Sequence, residues 1–174
     1  MKFKTRTIFP KELPQFLRLF QTVLHEDFPE YQPKIAATYR AYFSEKYFKK
    51  FLKKKTNAIL GVFDNDKIIA SLVLNDQDAG VLEFFWLFVD KKYRNKGIAS
   101  ALLKTGEEWA LKNKFHHVLF HTENMRLVEF YKKRGYEYIG LQRKLYFGSD
   151  EHLMQKVLRE EPFEEIFEKY LKNK

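Results

Sequence analysis

From Lys34 to Phe51, apolar and aromatic side chains recur every three or four positions, at Ile35, Tyr39, Tyr42, Phe43, Tyr47 and Phe51. That period predicts one amphipathic helix, ending at the run Lys53-Lys54-Lys55, where cations suit the helix dipole. Before it, the alternation from Lys2 to Phe9 predicts a first strand, and Pro10 and Pro14 lead into a helix to about Glu26. Pro29 and Pro33 are expected to close that segment.

After Thr56 the period changes to that of strands. Ala58 to Phe63 and Lys67 to Leu74, joined by the turn Asp64-Asn65-Asp66, predict a hairpin, and a second turn from Asp76 to Gly80 leads to a strand from Val81 to Val89. A helix is then expected from Gly97 to Lys114 and a strand from Val118 to Thr122, a βαβ-like unit. Met125 to Arg134 predicts a further helix stopped at Gly135, Tyr136 to Arg143 and Glu151 to Leu158 two more strands, and Pro162 to Lys172 a terminal helix. The resulting class is α+β, a mixed sheet flanked by helices.

Composition narrows the chemistry. The 174 residues, 45% hydrophobic, suit a single domain, expected at 1–160 with a C-terminal helical extension at 161–174 packed on it. Phe163, Ile166, Phe167 and Tyr170 form a stripe on that extension, which its own domain or a second copy in a homodimer would bury. With no cysteine there is no disulfide, thiolate metal site or cysteine nucleophile, and a cytoplasmic setting fits. No stretch has the length and continuity of a signal peptide or membrane span. The net charge of +9 is concentrated in residues 1–55. It suits nucleic acid, an acidic protein or a phosphorylated cofactor equally, or simply a solvated face.

The apolar strand ending at Val89 runs through Asp90 to Tyr93 into Arg94-Asn95-Lys96-Gly97-Ile98-Ala99 and a helix. The first N–H groups of a helix have no helical acceptor, and small residues at Gly97 and Ala99 let an anion approach them. Two readings stand on this loop alone, a phosphate site and an ordinary exposed turn. It has neither dinucleotide-fingerprint nor P-loop spacing.

The stretch from Leu87 to Ala110 resembles the acetyl-CoA motif of the GNAT superfamily of N-acetyltransferases, its Arg/Gln-x-x-Gly-x-Gly/Ala core met by Arg94, Gly97 and Ala99. A second match follows in Asn124, Phe130-Tyr131 and Gly135-Tyr136. The resemblance implies a GNAT-like, largely antiparallel sheet and acetyl-CoA as cofactor, with no metal. It implies that the backbone of Leu87, Phe88 and Val89 meets the pantetheine arm and that Arg94, Asn95, Lys96, Gly97, Ile98 and Ala99 hold the pyrophosphate. Asn124 would fix the helix start and the pantetheine side of the site.

Transfer from a thioester to an amine needs a neutral nucleophile, stabilisation of an oxyanion and relief of charge on the departing thiolate. The motif match points to Tyr131 for the thiolate, although a tyrosine on the face of Leu127 also suits a core. The Val89 N–H is the expected oxyanion donor, on the resemblance. Glu83 is the first candidate base, since it interrupts an apolar strand on the face of Phe85, Leu87 and Val89; pointing into solvent is its alternative. His121 is the reserve base. His116, His117 and His121 do not read as a metal site, because neighbours on a strand point to opposite faces. The acceptor, a small-molecule amine or a peptide, has no signature in Lys11 to Lys55. A catalytically silent acyl-CoA sensor and a basic nucleic-acid-binding module are the alternatives to an enzyme.

Overall fold

The computed structural model describes residues 3–27, 33–160, 164–165 and 167–168. Helices α1 (Leu13–Asp27), α2 (Pro33–Tyr42) and α3 (Glu45–Phe51) follow strand β1 (Lys4–Thr7); then come β2 (Ala58–Asp64), β3 (Lys67–Asp76), β4 (Val81–Val89), α4 (Ile98–Lys112), β5 (His117–Thr122), α5 (Met125–Lys132), β6 (Glu137–Gln142) and β7 (Glu151–Val157). The strands form one seven-stranded mixed sheet in the order β1-β2-β3-β4-β5-β7-β6. β4 and β5 run parallel, whereas the β1–β2, β2–β3, β5–β7 and β6–β7 pairs are antiparallel. The expected α+β class is what the structure has.

Two details differ from the periodicity. The single helix expected from Lys34 to Phe51 is two helices, because Ser44 is extended and its side chain accepts the Tyr47 N–H, starting α3 afresh. Pro33 opens α2 rather than closing the segment before it, at the first helical position where a missing N–H is tolerated. Pro29 lies outside the described residues. So does most of the terminal helix expected from Pro162 to Lys172, of which Glu164, Glu165, Phe167 and Glu168 are helical.

The chain divides into two compact units, Met1–Leu74 with Trp86–Thr105, and Asn75–Phe85 with Gly106–Lys174. The first has an aromatic core: Phe16 packs on Phe20, Phe48 and Phe88, and Phe20 also meets Phe43 and Trp86. Phe16, Phe20, Phe43 and Phe48 are buried, so these aromatics are mainly the inner faces of the N-terminal helices, each contributing roughly 1.5–3 kcal/mol. In the second unit the Phe120 ring lies against those of Phe84, Tyr131 and Tyr136. There Glu107 on α4 takes both the Tyr136 hydroxyl and the Lys156 ammonium of β7, each at 2.8 Å.

Candidate active site

In the first unit, the end of β4 and the loop after it are tied together. Asp90 N–H donates to the Ile69 carbonyl of β3 at 2.9 Å, and alternation along the strand turns the N–H groups of Val89 and Leu87 to the edge away from β3. Register between β4 and β5 runs from Val81↔His117 to Glu83↔Leu119, so Leu87, Phe88 and Val89 lie beyond the last recorded pair. Leu87 and Val89 are half-buried and Phe88 is buried, as its contact with Phe16 requires.

Arg94 Nε donates to the Val89 carbonyl at 3.0 Å, fastening the loop to the strand. Tyr93 Oη donates to Asp64 Oδ2 at 2.8 Å, and Lys67 pairs with Asp90 at 3.1 Å, so the approach to the loop is anchored on the β2–β3 hairpin. Asn95 and Gly97 both take positive φ, 61° and 77°. A side chain at Gly97 would meet nothing within 4 Å, so the glycine is required by backbone conformation rather than by crowding. The Gly97 carbonyl accepts the Ala101 N–H at 3.0 Å, leaving Ile98 and Ala99 in the first helical turn, where N–H groups lack helical acceptors. A small side chain, an open approach and outward N–H groups fit a phosphate.

In the second unit, Asn124 caps α5, its Oδ1 accepting the Arg126 N–H at 2.9 Å. This fixes the pitch of α5 and buries Val128 and Tyr131. Leu127, expected beside Tyr131, is 41% exposed; the stripe is turned by one residue. Tyr131 is 7% exposed, with its ring 4.4 Å from that of Phe120. Its hydroxyl has no hydrogen-bond partner among the described residues, and its oxygen is not one of the fully buried unpaired atoms, so the ring is buried while the hydroxyl keeps some access. Burial pushes its pKa up to about 12, against the pull of Arg134.

Glu83 does not point into solvent: it is 7% exposed, and its Oε2 accepts Asn75 Nδ2 at 2.9 Å and Gln77 Nε2 at 2.6 Å. Neither amide stood out in the sequence, where Asn75-Asp76-Gln77 reads only as the polar start of a turn. Glu83 is level with Leu119, while Tyr131 rests on Phe120, and successive β5 residues project to opposite faces. The two candidate groups thus stand on opposite faces of the β4–β5 pair. His121 shares Glu83's face, with Nε2 2.8 Å from Gln142 Oε1 and its ring 5.5 Å from that of Tyr146. The Tyr146 hydroxyl is held above its usual range by burial and by the Glu83 and Glu151 carboxylates. Glu151, which the sequence did not single out, is 5% exposed; burial raises its pKa against the Ser149 hydroxyl's donation. The pKa of His117 is shifted down by burial, and His116, just before β5, packs against Gly80 of the β3–β4 turn.

The mixed sheet flanked by helices is the fold of the GNAT acetyltransferases. The chain belongs to the acetyltransferase (GNAT) family, whose profile matches residues 18–136. No curated protein matches the chain in sequence. Among solved structures it is similar to the PaiA N-acetyltransferase of Thermoplasma acidophilum in complex with coenzyme A, at 18% identity and TM-score 0.79, covering 90% of this chain and 99% of that one. The ribosomal-protein-S18-alanine N-acetyltransferase of Escherichia coli matches at 16% identity and TM-score 0.70, covering 92% and 97%. A GNAT acetyltransferase of Elizabethkingia anophelis with acetyl-CoA bound matches at 19% identity and TM-score 0.57, covering 66% and 83%.

Proposed function

We propose that this protein transfers an acetyl group from acetyl-CoA to a primary amine by direct attack through a tetrahedral intermediate. The observation that carries the reading is Tyr131, a buried phenol at the end of a capped helix whose hydroxyl no described residue engages. The amine nitrogen attacks the thioester carbonyl carbon, a C–N bond forms, and the C–S bond then breaks. Glu83 takes the proton that the amine loses, from the opposite face to Tyr131. Val89 N–H, turned away from β3, donates to the oxyanion, where a preorganised amide is worth several kcal/mol. Leu87 and Phe88 line the pantetheine arm, Arg94 to Ala99 hold the pyrophosphate, and Asn124 keeps α5 in place.

Tyr131 meets the departing sulfur mainly as a hydrogen-bond donor. With its pKa at about 12, against about 8.5 for a thiol, full proton transfer would be uphill by roughly 5 kcal/mol, so the proton reaches the thiolate from solvent. Loss of the Tyr131 donor leaves a developing thiolate without its partner.

Calorimetry with acetyl-CoA, together with release of free thiol in the presence of peptides, polyamines, aminoglycosides or aryl amines, tests the proposal. Binding with release identifies an enzyme, and replacing Gly97 by Val is expected to weaken binding about tenfold through strain at positive φ. Binding with background release throughout would identify a silent acyl-CoA sensor. No binding would end the reading.

A further inference from the structure

We infer that Asn75 and Gln77 are positioning residues, which lock the Glu83 carboxylate with Oε2 occupied and Oε1 presented to the acceptor amine. The inference rests on the reading of Glu83 as the base. Both side-chain amides end on the same oxygen, at 2.9 and 2.6 Å, and Oε1 accepts no hydrogen bond among the described residues. A carboxylate can only accept, so each amide must turn its NH2 group toward it, and both bonds are charge-assisted. Two donors from different directions on one oxygen remove the rotation that would otherwise exchange the two oxygens. A base held in one orientation avoids the misplacement that lowers rates steeply.

The turn carrying Gln77 is itself held. Gln77 N–H donates to the Val81 carbonyl and Val81 N–H to that of Asp78, both at 3.0 Å, while Asp78 N–H reaches Asp76 Oδ1 at 2.7 Å. Asp78, Ala79 and Gly80 all have positive φ, and the Gly80 carbonyl accepts the His116 N–H at 3.0 Å. A Cβ on Gly80 would lie 2.5 Å from His116 Nδ1, so this turn closes against the start of β5 only with glycine there. Gly80 therefore sets where Gln77 stands without touching Glu83.

The test is thiol release from acetyl-CoA with spermidine and with a peptide bearing an N-terminal alanine, read as kcat and KM, with melting temperature measured alongside. Gln77→Leu and Asn75→Leu are each expected to lower kcat about tenfold, with KM for acetyl-CoA and the melting temperature of Gln77→Leu unchanged. Gly80→Ala, which displaces the turn, should act in the same direction. In a Glu83→Gln background the Gln77→Leu change should have no further effect, because the group it positions has gone. If Glu83→Gln slows the reaction but Gln77→Leu does not, the positioning role is wrong and the base stands. Were Glu83→Gln itself without effect, or neither acceptor turned over, the base reading would fall and this inference with it. Equal losses in both backgrounds would mean that Gln77 acts on the fold, which also overturns it.

Discussion

Tyr131 and Tyr136 stand five residues apart in the same unit, both nearly sealed from solvent at 7% and 3% exposure. Their rings lie 4.4 and 5.1 Å from that of Phe120. Their hydroxyls have opposite fates. Tyr136 donates to Glu107 at 2.8 Å, in a network closed by Lys156, and burial and then Glu107 hold its pKa far above the usual range. Tyr131 has no such partner. A buried hydroxyl that the fold engages contributes to stability, whereas the Tyr131 hydroxyl is engaged by no described residue and is not among the fully buried unpaired atoms, so it remains available to a ligand. Burial alone does not separate these two tyrosines; under the proposed mechanism, the hydroxyl's partner does.

The largest effect that would break this contrast is on rate. Tyr131→Phe removes a donor on which no described residue depends, so thiol release should fall about a hundredfold, within the range for losing one preorganised donor, while the melting temperature is unchanged or slightly raised. Unaltered kcat would make Tyr131 a core residue like its neighbour.

A smaller effect lies in alkaline stability. The Tyr131 pKa is raised from 10.0 to about 12, so the folded state keeps its proton where the unfolded chain loses it. Below pH 10 both states hold the proton and nothing is lost; as pH rises from 10 through 12 the unfolded chain ionises first and the folded state is destabilised, by about 2–3 kcal/mol in full. Urea unfolding at pH 9 and pH 11.5 should show a smaller stability loss for Tyr131→Phe than for the unchanged protein. An identical loss in both would mean that the phenol is not desolvated.

How much of this was legible in the sequence depends on the range of the interactions. The loop from Arg94 to Ala99 and the Asn124–Tyr131 pair are local patterns, and local geometry followed: a glycine at φ 77° and an asparagine capping α5. The strands were legible because alternation is local too, and Glu83 stood out as a carboxylate in an apolar run. The break at Ser44 was hidden because the aromatic period passes through it. Asn75 and Gln77 were invisible because their contact with Glu83 crosses a hairpin, and nothing periodic marks a side chain that reaches across one. The position of β7 between β5 and β6 is likewise set by long-range pairing. Tyr131 and Tyr136 look equivalent in the sequence for the same reason, since Glu107 lies 29 positions from Tyr136.

The smallest effect is the sharpest check on the other half of the comparison. Tyr136→Phe keeps the ring on Phe120 and removes only the hydroxyl, so packing is conserved and no cavity opens. Glu107 loses one donor but retains Lys156 at 2.8 Å, which lowers the penalty for the buried carboxylate. The net loss should be near that of one hydrogen bond, about 1 kcal/mol, or roughly 2–4 °C in melting temperature. kcat per folded molecule should stay within twofold, because a hydroxyl already engaged by Glu107 has no donor to lend to a thiolate. If Tyr136→Phe slowed thiol release as much as Tyr131→Phe, the two tyrosines would act as one unit through their ring contact at 6.0 Å. The state of each hydroxyl would then no longer distinguish their roles.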